Sequence, residues 1–187
     1  MIALFQISMT KKEKQTIVLF NPMPVKHQVA IVNKKTTSLQ VPLVNIPLSL
    51  LAIARMVSDD FDVRIINAVV DTNYEELILD ACEGALCFGV SSMTCYQSRD
   101  GMNVSAAVKE RYPDMPIIWG GYHPSTQPEQ TLQDPDIDII VIGQGELTFK
   151  EVVGRLAKDQ SLDGVPGVAY KDGGGIITNS PRGFTDL

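Results

Sequence analysis

The feature that most constrains the fold of this chain is a set of five short apolar runs rich in β-branched residues, at 17–20, 63–66, 86–90, 117–119 and 137–142. Each is bounded by turn residues. The runs are continuous rather than alternating, which is the pattern of strands buried on both faces of a parallel sheet. Stretches with helical periodicity separate them. Pro47 opens the first, with Leu48, Leu51, Ala52 and Met56 on one face. Asn73 is placed to cap the second, over 74–83, and the third runs over 97–112 to a stop at Pro113. The fourth connection, 125–133, holds Pro128 and has room only for a short helix. Residues 147–157 form an amphipathic helix with Phe149, Val152, Val153 and Leu156 as its stripe. Glu146 lies near its N-terminus, where the helix dipole favours a carboxylate.

This order of strand and helix predicts an α/β fold, a flavodoxin-like (Rossmann-like) doubly wound sheet of five parallel strands with helices on both faces. The expected strand order is 2-1-3-4-5. Beyond residue 160 the composition shifts. Residues 165–170 and 176–179 flank Lys171-Asp172-Gly173-Gly174-Gly175 and read as a small C-terminal β-hairpin whose glycines supply positive φ at the turn. Residues 180–187 lack periodicity and read as a linker. The expected organisation is a flexible N-terminal arm over 1–15, an α/β domain over 16–160, and the hairpin with its linker over 161–187.

Composition narrows the function classes. With 187 residues, 44% of them hydrophobic, the chain can bury one full-sized core. A formal charge of −6 and a pI near 4.9 argue against nucleic acid as a partner, since phosphate binding needs Lys and Arg concentrated on one face. The basic run Lys11, Lys12 and Lys14 is broken by Glu13 and reads as a solvated arm. Cys82, Cys87 and Cys95 are odd in number and sparse, so a reducing compartment is expected rather than a disulfide framework. No window approaches 18 uncharged apolar residues, and residues 1–9 lack the basic region and cleavage site of a secretory signal. The expectation is a cytoplasmic, soluble protein with no membrane partner. Met9 is a second candidate start residue.

In an open α/β sheet, ligands lie at the carboxyl ends of the strands. After the first run come Asn21 and Pro22, then a connection reaching Ile46. That is far longer than the usual two to six residues or so, and reads as either a functional loop or a disordered insertion. After the third run stand Ser91, Ser92, Met93 and Thr94, small or flexible residues with hydroxyls able to approach a ligand. After the fourth come Gly120, Gly121, Tyr122 and His123, where adjacent glycines remove side-chain bulk. After the fifth come Gly143, Gln144, Gly145 and Glu146. The coincidence of these features on one rim carries more than any one of them.

Several chemistries of this fold are tested, and disfavoured, at the same positions. A phosphoacceptor receiver needs carboxylates after the first and third strands and a lysine after the fifth, where this chain has Asn21, Ser91 and Gly143. A flavodoxin phosphate loop would be rich in Ser, Thr and Gly after the first strand, and here that place holds Pro22 and Pro24. The Gly143-Gln144-Gly145 turn follows the fifth strand, and Thr148 stands where a dinucleotide fingerprint needs its third glycine. The cysteine spacings match neither zinc pairs nor a four-iron cluster motif. With His27 and His123 the only histidines, a metal site built from protein ligands is not expected.

Taken together, Ser91-Ser92-Met93-Thr94, the segment 118–125 (IWGGYHPS), Pro128-Glu129 and the segment 138–149 (DIIVIGQGELTF) resemble the N-terminal cobalamin-binding domain of cobalamin-dependent radical S-adenosylmethionine enzymes. The Pro47-Leu48-Ser49-Leu50-Leu51 helix start and the Gly167-Val168-Ala169-Tyr170 hairpin also fit, so the similarity covers about residues 16–187.

The resemblance implies cobalamin as the cofactor of this domain. The corrin would lie over the carboxyl rim, with its dimethylbenzimidazole tail between the strands. It implies that Ser91 and Ser92 hydrogen-bond near the tail, that Gly120 and Gly121 leave its slot, and that Met93, Thr94 and Tyr122 border the ring. Asn21, Pro22, His123, Gly143, Gly145 and Glu146 complete the implied cofactor-binding set. An iron–sulfur cluster and S-adenosylmethionine would belong to a radical barrel domain, a partner in cis or in trans, and methyl transfer is the reaction type implied.

Many cobalamin modules carry Asp-x-His-x-x-Gly after the first strand. Here His27 is accompanied by Val25 and Ala30 at the Asp and Gly positions, so a base-off corrinoid without a histidine ligand is expected, with His123 in a turn. The competing expectations are a ligand-free domain that docks a partner and a module for another flat cofactor such as flavin.

Overall fold

The structure is a computed structural model and describes residues 14–23 and 46–185. Residues 1–13 of the arm, His27 and most of the long connection lie outside the described residues. The elements run β1 (Thr16–Asn21), α1 (Leu48–Val57), β2 (Asp62–Asn67), α2 (Tyr74–Ala81), β3 (Cys87–Ser91), α3 (Tyr96–Arg111) and β4 (Ile117–Gly120). They continue as α4 (Tyr122–Thr126), α5 (Pro128–Thr131), β5 (Ile139–Val141), α6 (Gly145–Leu156), β6 (Val168–Asp172) and β7 (Gly175–Thr178).

The sheet order is β2-β1-β3-β4-β5-β6-β7. The first five strands in that order are mutually parallel, as the continuous apolar runs require. The hairpin does not stand apart. β6 pairs antiparallel with β5 and β7 with β6, which extends the sheet to seven strands among the described residues.

Because side chains alternate across a pleat, each strand feeds two apolar layers. Val18, Phe20, Phe88, Val90, Ile117 and Trp119 pack beneath α2 and α3. Ile17, Leu19, Cys87, Ile118, Ile139 and Val141 face α1 and α6, whose Leu50, Val57, Phe149, Val152 and Val153 close that side. Trp119 fits because Gly101 of α3 has no side chain: a Cβ there would lie 2.9 Å from the indole. The indole N–H donates to Ser105 Oγ at 3.1 Å.

Some local expectations are corrected. Asn73 precedes α2 but makes no capping hydrogen bond through its side chain. The expected single short helix over 125–133 is two, α4 and α5, which meet at Gln127 ahead of Pro128. In the hairpin turn only Gly175 has positive φ, whereas Gly173 and Gly174 do not. The last apolar run forms a strand over Ile139–Val141 only.

Candidate functional site

The alternation that fills both layers leaves a gap in one of them. On the face toward α1 and α6, β3 presents Cys87, Gly89 and Ser91, and β4 presents Ile118 and Gly120. Register places Ser91 beside Gly120 and Gly89 beside Ile118. The missing side chain of Gly120 opens a slot of about 230 Å³ between the sheet and the two helices, which Gly89 also lines. At Gly89 itself a Cβ would lie 2.7 Å from Leu19 Cδ2, so that glycine makes room for Leu19. Its walls are Leu50 and Ile53 of α1, Phe149 of α6, and Ile118 and Val141 of the sheet. A Cβ on Gly120 would come no nearer than 3.7 Å to Val141, so the glycine leaves open space rather than relieving a clash.

At the carboxyl rim the slot runs into a shallow shelf of about 320 Å³ that shares Ser49, Ser91 and Gly121 with it. Asn21, Pro47, Met93, Gln97 and Tyr122 line the shelf. Tyr122 and Met93 are 62% and 57% exposed, and Ile46 and Leu48 join them as uncovered apolar side chains. Where slot meets shelf, the Ser49 and Ser91 hydroxyls lie 3.3 Å apart.

The rim is held by a polar scaffold. Asp100, buried within α3, accepts the Met23 amide at 2.9 Å and the Tyr74 hydroxyl at 2.9 Å. Burial, reinforced by the hydrogen bond to Asp100, raises the Tyr74 hydroxyl well above its ordinary pKa of 10.0. Gln97 donates to the Pro22 carbonyl and accepts the Met93 amide, tying the ends of β1 and β3 together. Asn21 donates to Asn67 at 2.9 Å. Gly121 has φ of 98°, and a Cβ there would lie 2.8 Å from the Ser92 carbonyl, so this glycine serves the backbone turn.

The sequence candidates separate accordingly. Ser91, Gly120, Gly121, Gly143, Gly145 and Glu146 line the slot. Asn21, Ser92, Met93 and Tyr122 line the shelf, together with Ser91 and Gly121. Pro22, Thr94 and His123 line neither. Ser92 is only 1% exposed, and its hydroxyl is engaged with Ser98 and the Met93 carbonyl, so it holds the turn. His123 lies in α4 and donates its amide to the Ser92 carbonyl. Gly143, with φ of 75°, donates its amide to Ser125.

Ser49, Ile53, Gly89 and Phe149 line the slot without standing among the strand-end residues that the sequence singles out. Gly89 shares strand parity with Ser91, and that was the available signal for it. Phe149 belongs to the stripe expected for α6, but Ser49 and Ile53 lie outside the α1 face expected at Leu48, Leu51, Ala52 and Met56. The structure instead buries Leu50 and Val57 and leaves Leu48 and Leu51 exposed.

Gln144 also engages the segment after the hairpin. Its side-chain amide donates to the Thr185 carbonyl and accepts the Thr185 amide, both at 3.1 Å. Arg182 pins the same segment through Glu151 at 2.6 Å and Thr148 at 2.8 Å. Residues 180–185 therefore run back along α6 to the carboxyl rim. Among the described residues, no group of three or more His, Cys, Asp or Glu side chains is arranged to hold a metal ion. Nor is any described helix long and apolar enough to cross a membrane.

Residues 35–153 match the B12 binding domain family. An uncharacterized methyltransferase of Pyrococcus horikoshii is 33% identical over 140 residues, covering 73% of this chain and 30% of that protein. The cobalamin-dependent radical SAM methyltransferase TokK of Streptomyces tokunonensis is 31% identical over 100 residues, 51% of this chain and 15% of that protein. The chain thus spans less than a third of the length of these relatives. Among solved structures, the radical S-adenosylmethionine methyltransferase TsrM of Kitasatospora setae, with cobalamin and a [4Fe-4S] cluster bound, superposes with a TM-score of 0.70. The identity is 18%, with 93% of this chain and 30% of that one covered.

Proposed function

The chain belongs to the B12-binding domain family, and on that premise we propose that residues 16–160 hold cobalamin by its nucleotide tail and present the corrin to a radical S-adenosylmethionine domain. The observation that carries this reading is the slot that Gly120 leaves open, which shares Ser49, Ser91 and Gly121 with a shelf at the rim. A slot of about 230 Å³ is below the roughly 300–1,000 Å³ of a drug-sized pocket, so it suits a bicyclic base and not a corrin. The ring, too large to be enclosed, would lie across the shelf, where Met93 and Tyr122 are exposed.

Within this reading each residue has a defined task. Ser49 and Ser91 supply hydroxyls where the tail enters, and Gly120 keeps the entry open. Gln97 and Asp100 fix the loops that carry the shelf. When bound, cobalamin supplies a cobalt centre able to carry a methyl group. With the base in the slot the cobalt would be base-off, and it would have no histidine ligand, because the Asp and Gly that accompany such a histidine are Val25 and Ala30 here. The uncovered Ile46, Leu48, Met93 and Tyr122 form the apolar seat for the ring and its catalytic partner.

We place the protein in the cytoplasm, in keeping with its free thiols. The partner domain and methyl transfer are supported by the names of the relatives, TokK among them. Nucleic acid is not proposed as a partner at a charge of −6.

The test is to mix the protein with cob(II)alamin, remove free ligand by gel filtration and record the electron paramagnetic resonance spectrum. Retained cobalamin without nitrogen splitting on the cobalt lines is expected. Failure to retain it would sink the binding reading. Retention with nitrogen splitting would sink the unligated state alone.

A further inference from the structure

We infer that the slot selects the base of the corrinoid tail, accepting a methylated benzimidazole and rejecting a purine. This rests on the reading that the slot takes the tail. The base is joined to its ribose through the imidazole ring, so the six-membered ring leads into the slot. What that ring meets decides which bases fit.

The inner walls are Leu50, Ile53, Ile118, Val141 and Phe149, none of which has a hydrogen-bonding side chain. Gly89 and Ile118, at the floor, lie within the paired ladder between β3 and β4, which engages their strands' main-chain groups. The polar side chains stand at the mouth: Ser49 and Ser91 on one side, Gln144 and Glu146 on the other. Phe149 lies one helical turn deeper than Glu146 along α6. Gln144 is already committed to Thr185.

A dimethylbenzimidazole presents only carbon on its leading ring. Its methyl groups meet Ile53, Ile118 and Phe149 as apolar contacts. Adenine presents two ring nitrogens and an exocyclic amine in the same place, and each loses its water with no partner in return. A single unpaired buried polar group is enough for about tenfold weaker binding.

The experiment is isothermal titration of the full chain with three corrinoids: cobalamin, its adenine-based analogue, and cobinamide, which lacks the nucleotide tail. Cobalamin should bind at least about tenfold more tightly than the adenine analogue, and cobinamide should bind more weakly than cobalamin. The Ile53→Gln variant, altered on a half-buried face of α1, should bind the adenine analogue more tightly relative to cobalamin than the parent does. Its melting temperature reports that it folds. Equal affinity of the parent for cobalamin and the adenine analogue overturns the base selection and leaves the binding function standing. Equal affinity for cobalamin and cobinamide overturns the placement of the tail in the slot, and the selection with it. Binding of none of the three overturns the proposed function itself.

Discussion

Gln144 and Thr185 exchange two hydrogen bonds, side chain to main chain in both directions, at 3.1 Å each. Gln144 also lines the slot. One side chain therefore touches both the slot and the segment that leaves the hairpin. Substituting Gln144→Ala removes both bonds, each contributing about 1 kcal/mol or less at this exposed site. Amide exchange at 183–185 should speed up while β6 stays protected, because Arg182 still pins the segment to Glu151. Hydrogen exchange read by mass spectrometry checks this, and unchanged exchange at 183–185 would show that the Gln144–Thr185 bonds do not hold the segment.

The two adjacent glycines should respond differently to substitution. At Gly120 the nearest atom to a new Cβ is 3.7 Å away and the space beyond is the slot. Gly120→Leu should therefore abolish cobalamin retention and leave the melting temperature nearly unchanged. At Gly121, with φ of 98° and a Cβ 2.8 Å from the Ser92 carbonyl, even alanine is strained. Gly121→Ala should cost roughly 1–3 kcal/mol, measured by denaturant unfolding. Equal stability losses at both positions would contradict this division.

Stability should fall at alkaline pH through groups that the fold keeps protonated. Burial pushes the Cys82 thiol from 9.0 up to about 12, raises the Cys87 thiol as well, and burial with the Asp100 hydrogen bond raises Tyr74 above 10.0. A raised folded pKa favours the protonated native state, so this stabilisation is complete below 9.0 and is lost as pH climbs from there toward the folded values. Tyr74→Phe should lose the bond to Asp100 at neutral pH and show a shallower decline above pH 10.0. A parent whose unfolding free energy is flat from pH 9.0 to about 12 would refute the assignment.

The cysteines should sort by burial. Cys95 is exposed at the start of α3, while Cys82 and Cys87 lie in the two apolar layers. A thiol reagent should label Cys95 at once in native protein and the other two only after denaturation. Prompt labelling of Cys82 or Cys87 would contradict the packing of α2 and β3.

The parallel strands were legible because burial on both faces writes a continuous apolar run into the sequence, as at 17–20 and 117–119. The hairpin's pairing with β5 was not legible, since no local signal in 165–179 specifies a tertiary edge. At the site, the rim glycines could be read, but the adjacent Ser91 and Ser92 could not be told apart without strand parity. Parity sends Ser91 into the slot with Gly89 and leaves Ser92 holding the turn. Ser49, Ile53 and Phe149 enter the slot only through the docking of α1 and α6 on the sheet, and nothing local to them announces it.

Trp119, the chain's single tryptophan, is fully buried against Gly101 with its N–H on Ser105. Its neighbour Gly120 opens onto the slot from the opposite face of β4. The unmodified chain thus carries one tryptophan, which can be excited apart from its tyrosines, fixed in a dry environment and separated from the cavity by the thickness of a strand. Any ligand absorbing in the near ultraviolet, as corrins do, draws light from that emitter when it enters. Occupancy can be followed by the dimming of a native signal, without label or engineered reporter.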